Sequence, residues 1–164
     1  RNIAPGINRS FSAEEYPIFP IESWKNARER AKAAVKTDSK FEAYATDIDP
    51  KCVEIASAAA KRAGVDDMLN IFTMDALDID TLGRRGTIVT NPPYGDRLLT
   101  VDEANDLYRA MGQAFSRLDR WQIYVITQSE EFPKLYGRRA DKIRKLYNGM
   151  IPCYYYQFFK QQNK

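Results

Sequence analysis

From Pro20 to Lys36 the apolar residues Trp24, Ala27, Ala31 and Val35 recur at helical spacing, with Lys25, Arg28, Glu29, Arg30 and Lys32 between them. That period predicts a helix over residues 20–36. Phe41 to Thr46 follows as a short strand-like run that stops at Asp47-Ile48-Asp49-Pro50. An aspartate ahead of a proline starts a helix well, because the carboxylate accepts from free amides and proline suits the first helical position. This helix is expected to reach Ala63, to turn Val53, Ala56, Ala60 and Ala63 inward, and to close at Gly64.

Leu69 to Thr73 predicts a second strand, stopping at Met74-Asp75-Ala76. Thr87 to Thr90, β-branched and apolar, predicts a third, stopping at Asn91-Pro92-Pro93-Tyr94-Gly95. Thr100 and Glu103 then have capping-box spacing, ahead of an apolar face made by Ala104, Leu107, Tyr108, Met111, Phe115 and Leu118. Trp121 to Thr127 reads as a fourth strand, and Ser129 to Tyr136 as a short helix or turn whose length Pro133 limits. Lys142 to Tyr147 and Ile151 to Phe159 read as strands around Asn148-Gly149, the strongest short hairpin signal.

Strand and helix alternate through the middle and a hairpin closes the end. The pattern predicts an α/β sheet, mostly parallel, with one antiparallel strand near the C-terminus. In open α/β sheets ligands sit beyond the carboxyl ends of the strands. Asp47, Asp75 and Asn91 each stand at such an end, and are expected to meet in one crevice. Ile3-Ala4-Pro5-Gly6 reads as a helix end followed by a break, since proline and glycine do not continue a helix. With no initiator Met, the chain is expected to be part of a longer protein.

Composition narrows the chemistry. The 164 residues allow one domain with its own core. No apolar run approaches the ~18 residues of a membrane span. Lys and Arg number 25 against 22 acidic residues, a charge of +3, which is compatible with an RNA partner without pointing to one. There is no histidine, which removes the commonest general base and the commonest metal ligand together, and no metal is expected. Cys52 and Cys153 lie far apart and make neither a zinc site nor a disulfide framework, so a reduced, cytoplasmic setting is the expectation.

The sharpest local feature is Asn91-Pro92-Pro93-Tyr94. Asn and Pro are also ordinary turn residues. Yet two consecutive prolines stiffen the backbone and supply no N–H donors, so the loop offers carbonyl oxygens. An Asn side-chain oxygen beside a proline carbonyl makes two acceptors for a planar NH2 group, and Tyr94 can stack on the ring that carries it. An exocyclic amine on adenine, guanine or cytosine is a poor nucleophile because its lone pair is delocalised. Two acceptors on its hydrogens favour a pyramidal nitrogen that can attack an electrophilic methyl group in line. That chemistry needs no histidine, metal or cysteine. A base taken from a helix costs a few kcal/mol to unstack, which stacking on Tyr94 offsets in part.

Here the chain resembles class I S-adenosylmethionine-dependent amino-methyltransferases. Arg1-Asn2-Ile3-Ala4-Pro5-Gly6, Thr46-Asp47-Ile48-Asp49-Pro50, Thr90-Asn91-Pro92-Pro93-Tyr94-Gly95-Asp96-Arg97-Leu98 and Asn148-Gly149, in that order, resemble more narrowly the ribosomal RNA large-subunit guanine-N2 methyltransferases. The resemblance implies a Rossmann-like class I methyltransferase sheet, and residues 1–164 as a partial catalytic domain. It implies S-adenosylmethionine as cofactor and large-subunit ribosomal RNA as partner. Asp47, with Ile48 beside it, is expected on the cofactor's ribose, and Asp75, with Ala76, at its adenine. Asn91, Pro92, Pro93 and Tyr94 are expected to orient the target amine, Asn91 also adjoining the cofactor. Asp47 and Asp49 both suit a helix cap; the reading adopted puts Asp47 on ribose and Asp49 on the cap. The family's Gly-rich first motif is absent, and with it the first, central strand. This stretch alone is therefore expected to bind cofactor weakly and to be inactive.

The remaining signals are broader. Arg138 and Arg139, with Lys134, Lys142, Arg144 and Lys145, crowd the approach to the last hairpin, and Arg84, Arg85 and Arg97 flank the third strand. Arg97, Arg138 and Arg139 are the candidate nucleic-acid contacts, against the commoner reading of solvated surface charge. Tyr154, Tyr155, Tyr156, Phe158 and Phe159 read as core of a closing strand, and Cys153 as a packed residue. Three other readings stay open: a DNA adenine-N6 enzyme, a dinucleotide-binding dehydrogenase domain, and a non-catalytic RNA-binding remnant. The second lacks the Gly-x-Gly-x-x-Gly that would precede Asp47.

Overall fold

The computed structural model describes residues 1–95, 99–118 and 120–159. They form two compact units, Arg1–Met74 and Asp75–Lys164. Among the described residues no helix is long and apolar enough to cross a membrane.

In the first unit, helix α1 spans Ile21–Ala33 and helix α2 spans Pro50–Ala63, with strands β1 (Ala43–Asp47) and β2 (Leu69–Thr73). The strands pair in parallel, from Ala43 opposite Leu69 to Asp47 opposite Thr73. Helix α2 forms where its ends dictate. The Asp49 carboxylate accepts the Lys51 N–H at 2.9 Å, Pro50 is the first helical residue, and Gly64 stops the helix at φ +68°. Of the four residues expected inward, Ala60 is buried and Val53 half-buried, but Ala56 and Ala63 are exposed. On α1, Ala27 is exposed as well. Helix α2 packs on β1 and β2, and its contact is made at Ala60 and not along the whole alanine face. Trp24 is held between Phe11 and Phe19 at 6.0 and 6.2 Å between ring centroids. The Arg28 guanidinium binds Glu14 and holds its carboxyl below the usual carboxylate range. Arg1 to Gly6 carries no helix; the chain turns there, with Ile7 N–H donating to the Ala4 carbonyl at 3.0 Å.

The second unit holds a four-stranded sheet in the order β3-β4-β6-β5, with β3 at Gly86–Thr90, β4 at Trp121–Thr127, β5 at Lys142–Asn148 and β6 at Ile151–Phe158. Strands β3 and β4 are parallel, and β6 runs antiparallel to both β4 and β5. Within this sheet β6 alone is reversed, as the alternation predicted. Helix α3 (Val101–Phe115) starts at a complete capping box, Thr100 with Glu103. It buries Ala104, Tyr108, Met111 and Phe115 against Ile123 and Val125 of β4 and Tyr156 and Phe158 of β6. The short helix α4 is Phe132–Leu135, inside the predicted span. Its Phe132 sits at the centre of an aromatic cluster, with ring centroids 4.9 Å from Tyr108, 5.2 Å from Tyr136 and 5.4 Å from Tyr156.

Two expectations need correcting. Asn148 pairs with Ile151, so the two-residue turn is Gly149-Met150 and not Asn148-Gly149, with Gly149 at φ +63°. Glycine at the first turn position matches the twist of the flanking strands. The aromatic run of β6 is core only on alternate residues. Tyr156 and Phe158 are buried, Tyr154 and Tyr155 are half-buried, and Phe159 is exposed beyond the strand. A strand presents successive side chains to opposite faces, and only one face lies under α3.

Candidate active site

Asp47 is the last residue of β1 and is exposed. Its Oδ1 accepts the Asp49 N–H at 2.9 Å, and its carbonyl accepts the Met74 N–H at 3.0 Å. The two aspartates differ in what their side chains hold. Asp49 caps α2, while Asp47 stands at the strand end with its carboxylate oriented by the turn that follows. Ile48 beside it is exposed. An exposed, oriented carboxylate is chemically suited to a pair of hydroxyl donors.

Asp75 lies two residues beyond β2. Its Oδ1 accepts the Leu77 N–H at 2.9 Å, capping the 3-10 turn Ala76–Asp78, and it is half-buried while Ala76 is exposed. The Asp75 carboxylate thereby organises the turn that follows β2.

Asn91 follows β3 directly and is exposed, with Pro92 buried and Pro93 and Tyr94 half-buried. The loop is anchored from below. Tyr108 Oη donates to the Pro93 carbonyl at 3.0 Å and lies 2.9 Å from Thr127 Oγ1, which accepts the Ser129 N–H at 3.2 Å. Burial raises the Tyr108 hydroxyl above its ordinary value, so it stays a donor at neutral pH. Composition and periodicity missed Tyr108 and Thr127 as members of this region, reading Tyr108 as apolar helix face. A signal existed: a tyrosine on a buried stripe must find a partner for its hydroxyl.

The basic candidates separate. Arg138 is committed within the fold: its Nη2 donates to Asp141 at 3.1 Å and to the Phe159 carbonyl at 2.6 Å, and its guanidinium lies 5.5 Å from the Phe158 ring centroid. Arg139 is exposed. Arg97 lies outside the described residues. Two cavities are lined by none of the candidate site residues. One of about 570 Å³ is lined by Asp78, Asp80, Arg84, Arg117, Arg120 and Trp121 among others. One of about 500 Å³ lies at Ser39–Glu42, Asp67 and Met68. The first lies at the amino ends of β3 and β4, whose unit carries Asn91 at the other end of β3, and the second at the amino ends of β1 and β2, whose unit carries Asp47 at the other end of β1.

Residues 1–157 match the family model described as RMKL-like, methyltransferase domain. The chain belongs to this family of methyltransferase domains. It is 40% identical over 161 residues to "Putative RNA methyltransferase YpsC" of Bacillus subtilis (strain 168), covering 98% of this chain and 42% of that protein. It is 33% identical over 159 residues to Ribosomal RNA large subunit methyltransferase K/L of Shewanella sp. (strain ANA-3), covering 93% of this chain and 22% of that protein. Among solved structures, that of SMU.472, "a putative methyltransferase complexed with SAH", matches with a TM-score of 0.89 at 37% identity, over 99% of this chain and 43% of that one. The chain therefore spans less than half the length of these relatives. As a methyltransferase domain, it carries the α/β fold that the strand and helix alternation predicted.

Proposed function

We propose that the protein of which this chain forms part transfers a methyl group from S-adenosylmethionine to the exocyclic N2 amine of guanine in large-subunit ribosomal RNA. One observation carries the reading. Asn91 stands exposed at the carboxyl end of β3, at the head of a double-proline loop. The RNA assignment draws on the names of the ribosomal RNA and YpsC relatives.

The residues take the following parts. The exposed Asp47 carboxylate accepts ribose hydroxyls of the cofactor, with Ile48 against it, and Asp75 with Ala76 receives the adenine amine. When bound, S-adenosylmethionine supplies an electrophilic methyl carbon. Asn91 Oδ1 and a proline carbonyl accept the two amine hydrogens of the target base. The Pro93 carbonyl already accepts from Tyr108, which favours the Pro92 carbonyl as that second acceptor. Tyr94 stacks on the base. The amine nitrogen forms the new N–C bond as the methyl–sulfur bond breaks, and one amine proton then leaves to water. Arg139 and Arg97 are the proposed phosphate contacts, whereas Arg138 serves the fold.

Incubating the full-length protein with methyl-tritiated cofactor and either large-subunit ribosomal RNA or duplex DNA tests this. Label in the RNA, recovered as N2-methylguanine, is the expected result. Label only in DNA adenine overturns the RNA assignment in favour of the N6 reaction.

A further inference from the structure

The hydroxyls beneath the double-proline loop have a determined direction. A carbonyl only accepts and an amide N–H only donates. The Pro93 carbonyl at one end therefore takes the Tyr108 proton, and the Ser129 N–H at the other end points to Thr127 Oγ1. The 2.9 Å bond between the two hydroxyls must then run from Thr127 to Tyr108. The result is one sequence, Ser129 N–H to Thr127 O–H to Tyr108 O–H to Pro93 C=O. Its two hydroxyl residues are closed off from solvent, with Tyr108 at 1% and Thr127 at 0% exposure, while Pro93 and Ser129 at its ends are half-buried. Each end is braced. Tyr156 Oη donates to the Ser129 carbonyl at 2.9 Å, and Phe132 packs edge-on against the Tyr108 ring at 4.9 Å.

The torsions of the loop show what this sequence of bonds controls. Proline rings lock φ at Pro92 and Pro93. Asn91 and Pro92 each precede a proline, so both are confined to extended ψ. Past φ of Asn91, one soft backbone torsion is left before Tyr94, ψ of Pro93. The hydrogen bond from Tyr108 sets it, because it fixes the plane of the Pro93–Tyr94 peptide. That plane fixes where the Tyr94 backbone leaves the loop, and so limits the positions open to the Tyr94 ring.

We propose that Tyr108 and Thr127 are positioning residues for base capture: their directed hydroxyl pair sets the last soft torsion before Tyr94 and so aims Tyr94 toward the place where the target base stacks. This rests on the methyltransferase reading above. It extends that reading from the loop to a helix and a strand end that do not meet the substrate.

The test uses the full-length protein and its RNA methylation kinetics. Tyr108→Phe keeps the ring packed and removes one oxygen; Thr127→Val removes the hydroxyl at near-constant shape. Each is expected to lower kcat/KM for RNA by about tenfold or more, since small misplacements of positioned groups cost that much. The loss should fall mainly in KM for RNA, with cofactor affinity unchanged. Thr127→Ser restores the hydroxyl and is expected to recover most of the loss. The double variant should be no worse than either single, because the two act as one unit. A purely architectural role would lower thermal stability and leave the RNA KM where it was, and that result overturns the proposal. So does an additive double variant. If Tyr108→Phe does not fold, the Thr127→Val and Thr127→Ser pair decides alone. Asn91→Ala separates the two claims. Activity lost there but retained in both Tyr108→Phe and Thr127→Val sinks the positioning role only. Full activity of Asn91→Ala sinks the reading beneath it.

Discussion

Gly112 of α3 lies so close to Tyr136 that a Cβ built on it would stand 2.1 Å from the Tyr136 carbonyl oxygen and 2.8 Å from its carbonyl carbon. Both obstacles are backbone, which cannot swing aside as a side chain does. Helix α3 and the end of α4 are pressed together at this point, beside the aromatic cluster that holds Tyr108. Glycine inside a helix normally costs about 1 kcal/mol against alanine, so an uncrowded site would gain stability on substitution. Gly112→Ala is expected to lose about 1–3 kcal/mol or more instead, through overpacking. Urea unfolding measures it. A raised midpoint would show that the two helices do not press here.

The start of the sheet carries a second close fit. Gly86 pairs with Trp121 across β3 and β4, and a Cβ on Gly86 would meet the indole at 2.5 Å. The ring is pinned over the glycine by its Nε1–H, which donates to the Arg84 carbonyl at 2.7 Å. Gly86→Ala must push the indole off and break that bond. In a background where every other tryptophan, Trp24 among them, is replaced by phenylalanine, fluorescence should shift to longer wavelength as the ring becomes wetter. Stability should fall by about 1–3 kcal/mol. An unchanged emission spectrum would mean that the ring has room to spare.

What could be read from the residues was what local chemistry decides. Helix α2 begins and ends where Asp49, Pro50 and Gly64 put it, and β4 runs from Trp121 to Thr127 as its apolar run indicates. The Asn91 loop was legible because prolines constrain their own neighbourhood. What needed the structure was anything decided by a distant partner. Ala27, Ala56 and Ala63 share a period with buried residues, yet a period marks a face without showing what covers it. The hairpin is displaced by one residue because cross-strand pairing of Asn148 with Ile151 decides which residues turn. Arg138 looked like a free cation until Asp141 and the Phe159 carbonyl took it. Tyr108 counted as apolar face until its hydroxyl met Pro93.

Alkaline stability follows from the same core. Burial pushes the hydroxyls of Tyr136 and Tyr156 up to about 12, from an ordinary 10.0. The folded protein therefore keeps these protons where the unfolded chain has lost them. Their contribution is whole below pH 10, and is lost progressively as pH rises from 10 to about 12. Urea midpoints should accordingly fall steeply across that window. Tyr136→Phe keeps the ring and removes the ionisation, so its midpoint should fall less steeply than that of the unsubstituted protein. Spectrophotometric titration gives a parallel check: part of the tyrosinate signal should appear only as the fold opens. Equal slopes for the two proteins would show that Tyr136 does not titrate late.

Asp47 and Asn91 should fail in opposite ways. The Asp47 carboxylate is assigned to hydroxyls that the cofactor carries before and after methyl transfer, so its contact is equally strong in the ground and transition states. Removing such a contact weakens binding without slowing the bound complex. Asp47→Ala in the full-length protein is expected to weaken cofactor affinity by about tenfold to a hundredfold, the range for a hydrogen bond to a charged group, with turnover nearly kept at saturation. The Asn91 oxygen is assigned to an amine whose hydrogens become better donors as the nitrogen attacks, so its contact strengthens on the way to the transition state. Asn91→Ala should therefore cost about a hundredfold or more in turnover and leave cofactor affinity unchanged. Calorimetry with S-adenosylmethionine and saturating single-turnover kinetics separate the two effects. If both substitutions act on cofactor binding alone, the division of labour between the end of β1 and the double-proline loop is wrong.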